Sequence, residues 1–408
     1  MINRRSFSKV LTIGAASVTA GGLSAAAADA PTSGGKPGSA GPDTADRTTA
    51  GTAGTYDTAG TAGTAEQAGV DAAKPATGLG PVRRVRTDLL DIAYHQAGPA
   101  DGRPVVLGHG WPYSPYAYQE VVPELAGRGF RCYVPYLRGH GPTVFRHRAT
   151  VRSGQQAALG ADVIAFMDAL GIRRAILGGY DWGGRGACVA AALWPERCSG
   201  LVSVNSYLIQ DLDPSVIDRP DPPDVESAHW YYYFLLTKRG AAGLAKNTKE
   251  FARVVWKRNS PEWRFTEADL DRAAQLFENL DYLAVVLNCY RTRRLAAPGD
   301  PRYAELEARL LKQPPITVPA VTLDGKADGS LPWTDGTASA PHFTGPRVHH
   351  VVPHAGHNLP QEAPKAFAAA VVEVSHLAPT TARAVSKTGP VKRKYDPGEA
   401  PKVSGIRL

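Results

Sequence analysis

Cysteine is scarce in this chain: four residues among 408, Cys132, Cys188, Cys198 and Cys289. Their spacing fits neither a zinc ribbon nor a redox pair, and no disulfide framework is implied. All four sit among apolar residues and read as buried packing. The chain also lacks a G-x-x-x-x-G-K phosphate loop, a zinc signature and a haem attachment motif. No cofactor and no metal are therefore expected. Long hydrophobic runs are missing too. The apolar stretch nearest the N-terminus, "VLTIGAASVTAGGL", is short and rich in Gly and Thr, so no membrane span is expected. An acidic balance is absent: the net charge is +8. The excess lies at the ends, with Arg4, Arg5 and Lys9 at one and seven Lys/Arg against Asp396 and Glu399 over residues 380–408 at the other. The middle is close to neutral, which argues against a nucleic-acid partner.

What is present begins with a targeting pattern. "NRRSFSK" places Arg4 and Arg5 before Phe7 and Lys9 in the manner of a twin-arginine export motif. The apolar stretch follows, and then "SAAAADA", an A-x-A type cleavage site after Ala28 or Ala30. Residues 1–30 read as a signal peptide, and the protein as secreted, periplasmic or envelope-associated. Residues 31–80, dominated by Gly, Thr, Ala, Pro and Asp, bury too little apolar surface to offset their ordering entropy and read as a linker. Residues 380–408 read as a basic tail.

Between them the pattern changes. "RPVVLGHGW", "FRCYVPYLRGHG", "RRAILGGYD", "CSGLVSVNSY", "VPAVTLDGKADG" and "RVHHVVPHAGH" are apolar strand-like runs. They alternate with helical stretches such as "SGQQAALGADVIAFMDALG", with Ser153 as its expected N-cap, and "PQEAPKAFAAAVVEVSHL". Strands apolar nearly throughout, separated by helices, predict an α/β fold with a mostly parallel sheet covered on both faces. Over 206–298 the strand signal vanishes and aromatic, helical segments replace it. This is an all-helical insertion between a first core part, 81–205, and a second, 299–379. Such an insertion lands at the sheet's C-terminal edge, where ligands bind, and reads as a cap.

"GGYDWGGRG", residues 178–186, joins an apolar run to a helical one. It has the shape of a nucleophile elbow, G-x-Nu-x-G, with Asp181 where hydrolases often carry Ser. Small neighbours let strand and helix approach, and the helix N-terminus faces incoming charge. A carboxylate nucleophile makes alkyl esters at sp³ carbon, which argues against acyl transfer. A plain helix cap is the alternative role for this Asp.

With these motifs, residues 81–379 resemble an epoxide hydrolase of the α/β-hydrolase fold, with haloalkane dehalogenases as close relatives. "HGWP" (109–112) is similar to the family's H-G-x-P loop, and "LRGHG" (137–141) to its R/K-G-x-G loop. The family usually has His before the nucleophile; here it is Tyr180. The resemblance implies an oxyanion hole from the backbone amides of Trp111 and Trp182. It makes Asp328 the acid, with Asp324 as fallback. It makes His357 of "GHNLPQE" the base, rather than His349, His350 or His354. It also implies two cap tyrosines that hold and protonate the epoxide oxygen. Tyr231 is favoured from "HWYYYFLLTKRG", and Tyr290 comes from "LNCYRTRR". Tyr232, Trp230 and His109 are expected to touch substrate. The implied partners are a small epoxide and water. A dehalogenase using the same triad, with Trp182 and Trp111 or Trp230 as halide donors, stays open, as does a binding protein on the same scaffold.

Overall fold

A computed structural model describes residues 78–377. The signal-peptide reading of residues 1–30, the linker reading as far as residue 77 and the tail reading of residues 380–408 lie outside the described residues. Nine strands form one sheet: β1 Val82–Arg86, β2 Leu90–Ala97, β3 Arg103–Gly108, β4 Phe130–Pro135, β5 Val144–Phe145, β6 Ala175–Gly179, β7 Cys198–Val204, β8 Ala320–Gly325 and β9 Arg347–Val352. Their order is β1-β2-β4-β3-β6-β7-β8-β9, with the short β5 paired to β2. From β4 to β9 every neighbouring pair is parallel, while β1, β2 and β5 join antiparallel at the other edge.

The central strands β6, β7 and β8 are buried along nearly their whole length, which is why they read as unbroken apolar runs. The edge strand β1, "VRRVR", is largely exposed and carries three arginines that keep the open edge from pairing. That charge hides its strand character, and the β1–β2 pair is not visible in the hydrophobic pattern.

The helices α1 Val121–Gly127, α2 Gln156–Ala169 and α3 Asp181–Leu193 pack against the sheet, and the chain closes with Pro364–Leu377. Ser153 is not the N-cap of α2. That position is Gln155, and Ser153 Oγ donates instead to Gln155 Oε1 at 2.8 Å. The closing helical run is broken in two, Leu359–Glu362 and Pro364–Leu377. Pro364 supplies the break, since it disfavours helical backbone at the residue before it.

Among the described residues, no strand lies between β7 and β8; the interval holds helices from Pro214 to Leu310. The last of these, Ala304–Leu310, returns to the core: Glu307 Oε1 accepts from the amide of Ala157 on α2 at 3.1 Å. The preceding helices form the cap. Its helix Thr248–Asn259 is tied to the loop after β3, because Trp256 Nε1 donates to the carbonyl of Pro112 at 3.0 Å.

Candidate active site

All the loops that matter leave the C-terminal ends of parallel strands. β3 delivers residues 109–112, β4 the 137–141 loop, β6 the elbow, β8 Asp328 and β9 His357. Parallel strands put these ends on one edge, so residues up to 248 positions apart share one crevice under the cap.

The elbow works by close approach. A Cβ on Gly183 would stand 2.1 Å from the carbonyl carbon of Gly108, so only glycine lets α3 start this near β3. Asp181 sits at φ +50°, a left-handed conformation costly for a residue with a side chain. It lifts the carboxylate above the strand end. The Trp111 amide donates to Asp181 Oδ1 at 2.7 Å, and the Trp182 amide supports the carboxylate as well. Burial alone would raise this carboxyl's pKa. His357 and the two amides outweigh burial and hold it below the usual range, so Asp181 is an anion.

His357 stands between two carboxylates. Its Nε2 is 3.5 Å from Asp181 Oδ2, and its Nδ1 bonds Asp328 Oδ2 at 2.9 Å. Burial pushes the imidazole down, but Asp328 and Asp181 outweigh it and hold the pKa well above 6.5. Asp328 is itself anchored: Oδ1 accepts from the amides of Ser330 and Leu331 at 2.7 and 3.0 Å, and Oδ2 from Asn205 Nδ2 at 3.1 Å. Asp324 serves elsewhere, its Oδ2 accepting from the amide and hydroxyl of Thr334. The other histidines are occupied or remote. His349 bonds Thr322, His350 bonds Glu373, and the exposed His354 bonds Glu262. Glu362 holds the His357 turn by accepting from the amides of Gly356 and Asn358 on either side of it, at 2.7 and 3.0 Å.

Tyr231, on the helix Trp230–Phe234, and Tyr290, on the helix Tyr282–Arg293, meet over the indole of Trp111. Their ring centroids lie 5.7 and 5.1 Å from Trp111 and 5.6 Å from each other. Both are buried, and burial first, then a neighbouring tyrosine (Tyr232 for Tyr231, Tyr231 for Tyr290) and Asp181, push both phenol pKa values well above 10. Among the described residues neither hydroxyl has a protein hydrogen-bond partner.

A cavity of about 470 Å³ opens on Asp181 and His357. Tyr232 lines it, with His229, Arg185 and Arg293. Trp230, His109, Tyr231 and Tyr290 are not among its lining residues. Trp230 packs on Tyr231, Phe234 and Phe251 within the cap. His109 is fully buried behind the loop: its Nδ1 bonds the carbonyl of Gly110, and its Nε2 accepts from the amide of Leu137. Burial and His140 push its pKa down to about 3, so it is a neutral fastener between two loops. Tyr231 and Tyr290 lie one layer behind Tyr232, against the tryptophans.

Sequence reasoning missed Arg185, His229, Asn205 and Arg293. Arg185 lies within the elbow segment, four residues after Asp181 and hence on the same face of α3. Arg293 follows Tyr290 by three. Both stood inside stretches already singled out, but one arginine among many carries no sign of burial.

Comparison with known proteins agrees with this architecture. The alpha/beta hydrolase fold family matches residues 103–364. Epoxide hydrolase B of Mycobacterium tuberculosis is 26% identical over 341 residues, 68% of this chain and 91% of that protein. Epoxide hydrolase A of the same organism is 24% identical, over 71% of this chain and 96% of its own. A solved structure from Klebsiella pneumoniae, of a protein proposed to be an epoxide hydrolase, superposes with a TM-score of 0.70 at 43% identity, covering 72% of this chain and 97% of its own.

Proposed function

Since the chain belongs to the alpha/beta hydrolase fold family and is an enzyme with epoxide hydrolases among its relatives, we propose that it opens an epoxide to a vicinal diol through a covalent alkyl ester on Asp181. The observation that carries this reading is the pairing of an anionic aspartate at the elbow with two unpartnered phenols above the same indole. A carboxylate oxygen attacks one ring carbon, the C–O bond breaks, and the freed alkoxide takes a proton from Tyr231 or Tyr290. A phenol kept protonated by burial is a ready donor, because an alkoxide is the stronger base.

The second half-reaction follows from the charge change. Alkylation removes the negative charge of Asp181, one of the two anions that raise the His357 pKa. The imidazolium therefore gives its proton to the phenolate left by ring opening, and the neutral ring serves as base toward a water molecule, while Asp328 fixes its tautomer. Water attacks the ester carbonyl, and the amides of Trp111 and Trp182 stabilise the oxyanion. Collapse breaks the bond between the carbonyl carbon and the alkoxy oxygen and returns the Asp181 carboxylate and the diol: of the two protons of the water, one passes through His357 to the departing alkoxide and the other stays on His357, restoring the resting imidazolium.

A dehalogenase would use the same nucleophile, and the unpartnered indole N–H of Trp182 is the observation that favours it. The second indole weakens it: Trp111 Nε1 is committed to Tyr282 Oη at 2.8 Å. Displaced halide needs no proton, which leaves both phenols without a task. We also propose export by the twin-arginine route, on the N-terminal motif. The experiment is turnover of styrene oxide beside a chloroalkane, following diol and chloride separately. Diol without chloride supports the epoxide reading; chloride without diol replaces it.

A further inference from the structure

Arg185 and Arg293 line the same cavity, one from core helix α3 and one from the cap helix Tyr282–Arg293. Arg185 is 9% exposed. Its Nη1 donates to the carbonyl of Leu208 at 2.7 Å, and its Nε is buried with no partner. Arg293 donates from Nε to Gln210 Oε1 at 2.7 Å and from Nη2 to Tyr232 Oη at 3.3 Å. Among the described residues neither guanidinium forms an ion pair with a carboxylate. Asp211, Asp221 and Asp324 also line the cavity but pair with neither. Glu307, behind Arg185, is taken by the amide of Ala157 and by Gln155 and Gln156.

Two guanidiniums that line one cavity with no carboxylate paired to either are costly to bury, and Asp181 is the anion whose charge acts on both. Burial and the charge of Arg293 bring the Arg185 pKa down to about 10. An anion seated within reach of both would offset the repulsion. Resting on the epoxide reading, we propose that the substrate is an epoxide bearing a carboxylate, which Arg185 and Arg293 clamp between core and cap while Asp181 attacks the ring.

Three features narrow the ligand. The free donors are guanidinium N–H groups, whose fork matches a planar carboxylate. The cavity lining holds four arginines (185, 219, 293 and 294) and four aspartates (181, 211, 221 and 324). Protonated His357 is balanced by Asp328, so the site is close to neutral overall, and a monoanion disturbs that balance less than a phosphate dianion. Third, Arg293 is held by Tyr232, the neighbour of Tyr231, so an anion seated there lies close to the phenols that receive the epoxide oxygen.

The test separates binding from chemistry. Hydrocinnamate and its isosteric amide, neither of them reactive, are titrated calorimetrically into the wild type, Arg185→Gln and Arg293→Gln, with thermal melts as folding control. The carboxylate should bind at least about tenfold more tightly than the amide in wild type, the scale of charge-assisted hydrogen bonds. That preference should fall to about twofold or less in each variant. The ratio of kcat/KM for phenylglycidate over phenylglycidamide should fall in parallel. Equal affinity in wild type overturns the proposal, as does a preference that survives both substitutions. Failure of the epoxide chemistry has a different signature: no diol from either glycidyl substrate, with the carboxylate preference intact, which leaves the anion clamp standing.

Discussion

Nε2 of His357 lies 3.5 Å from Oδ2 of Asp181, while Nδ1 of the same ring is bonded to Asp328. Base and nucleophile are thus charge partners before the reaction and cease to be so once Asp181 is esterified. Replacing His357 by Gln should leave attack possible and ester hydrolysis blocked. Intact-protein mass spectrometry after exposure to styrene oxide should find the variant carrying the mass of one whole epoxide. Normal turnover by this variant, or a requirement for His354 instead, would remove His357 as the base.

Tyr231 and Tyr290 have hydroxyls without protein partners, so trimming either to Phe leaves no broken internal bond. Each single change should slow alkylation of Asp181 on the order of 10²–10³-fold, the cost of one donor lost where charge develops. The double variant should nearly abolish diol formation. Single-turnover rates, with circular dichroism as control, decide it. A double variant as fast as wild type would rule out the phenols as acids.

The raised pKa of His357 also makes a stability prediction. Its folded value lies above 6.5, its ordinary value and that of the unfolded chain. The stabilisation it brings is therefore complete below that value and is lost as pH rises through the folded pKa. The melting-temperature gap between wild type and His357→Gln should be widest below about pH 6.5 and narrow as the pH is raised beyond it. A gap that is constant over that range contradicts the ion-paired imidazolium.

For export, replacing Arg4 and Arg5 together by Lys should leave unprocessed protein in the cytoplasm. Fractionation with immunoblotting reads this directly. Unchanged processing and location would dispose of the twin-arginine reading.

Local constraints were legible without coordinates. The glycines around Asp181 announce a tight strand-to-helix turn, because only they let Gly108 and Gly183 touch backbone to backbone. The unbroken apolar runs of β6, β7 and β8 announce a buried parallel sheet, since each such strand is covered on both faces. The β1–β2 pair stayed hidden because the arginines that protect an edge also erase its apolar period. The choice between Asp328 and Asp324 turned on their places along the chain: Asp324 lies inside β8 and accepts from Thr334, whereas Asp328 lies in the loop beyond it and reaches His357. Only the folded chain could bring Arg185 and Arg293 to one cavity, commit the Trp111 indole to Tyr282 and withdraw His109 and Trp230 from the cavity. These are contacts between residues distant in sequence. Their energies depend on burial and on which partner arrives first at each donor, and neither quantity is written in the spacing of residue types along the chain.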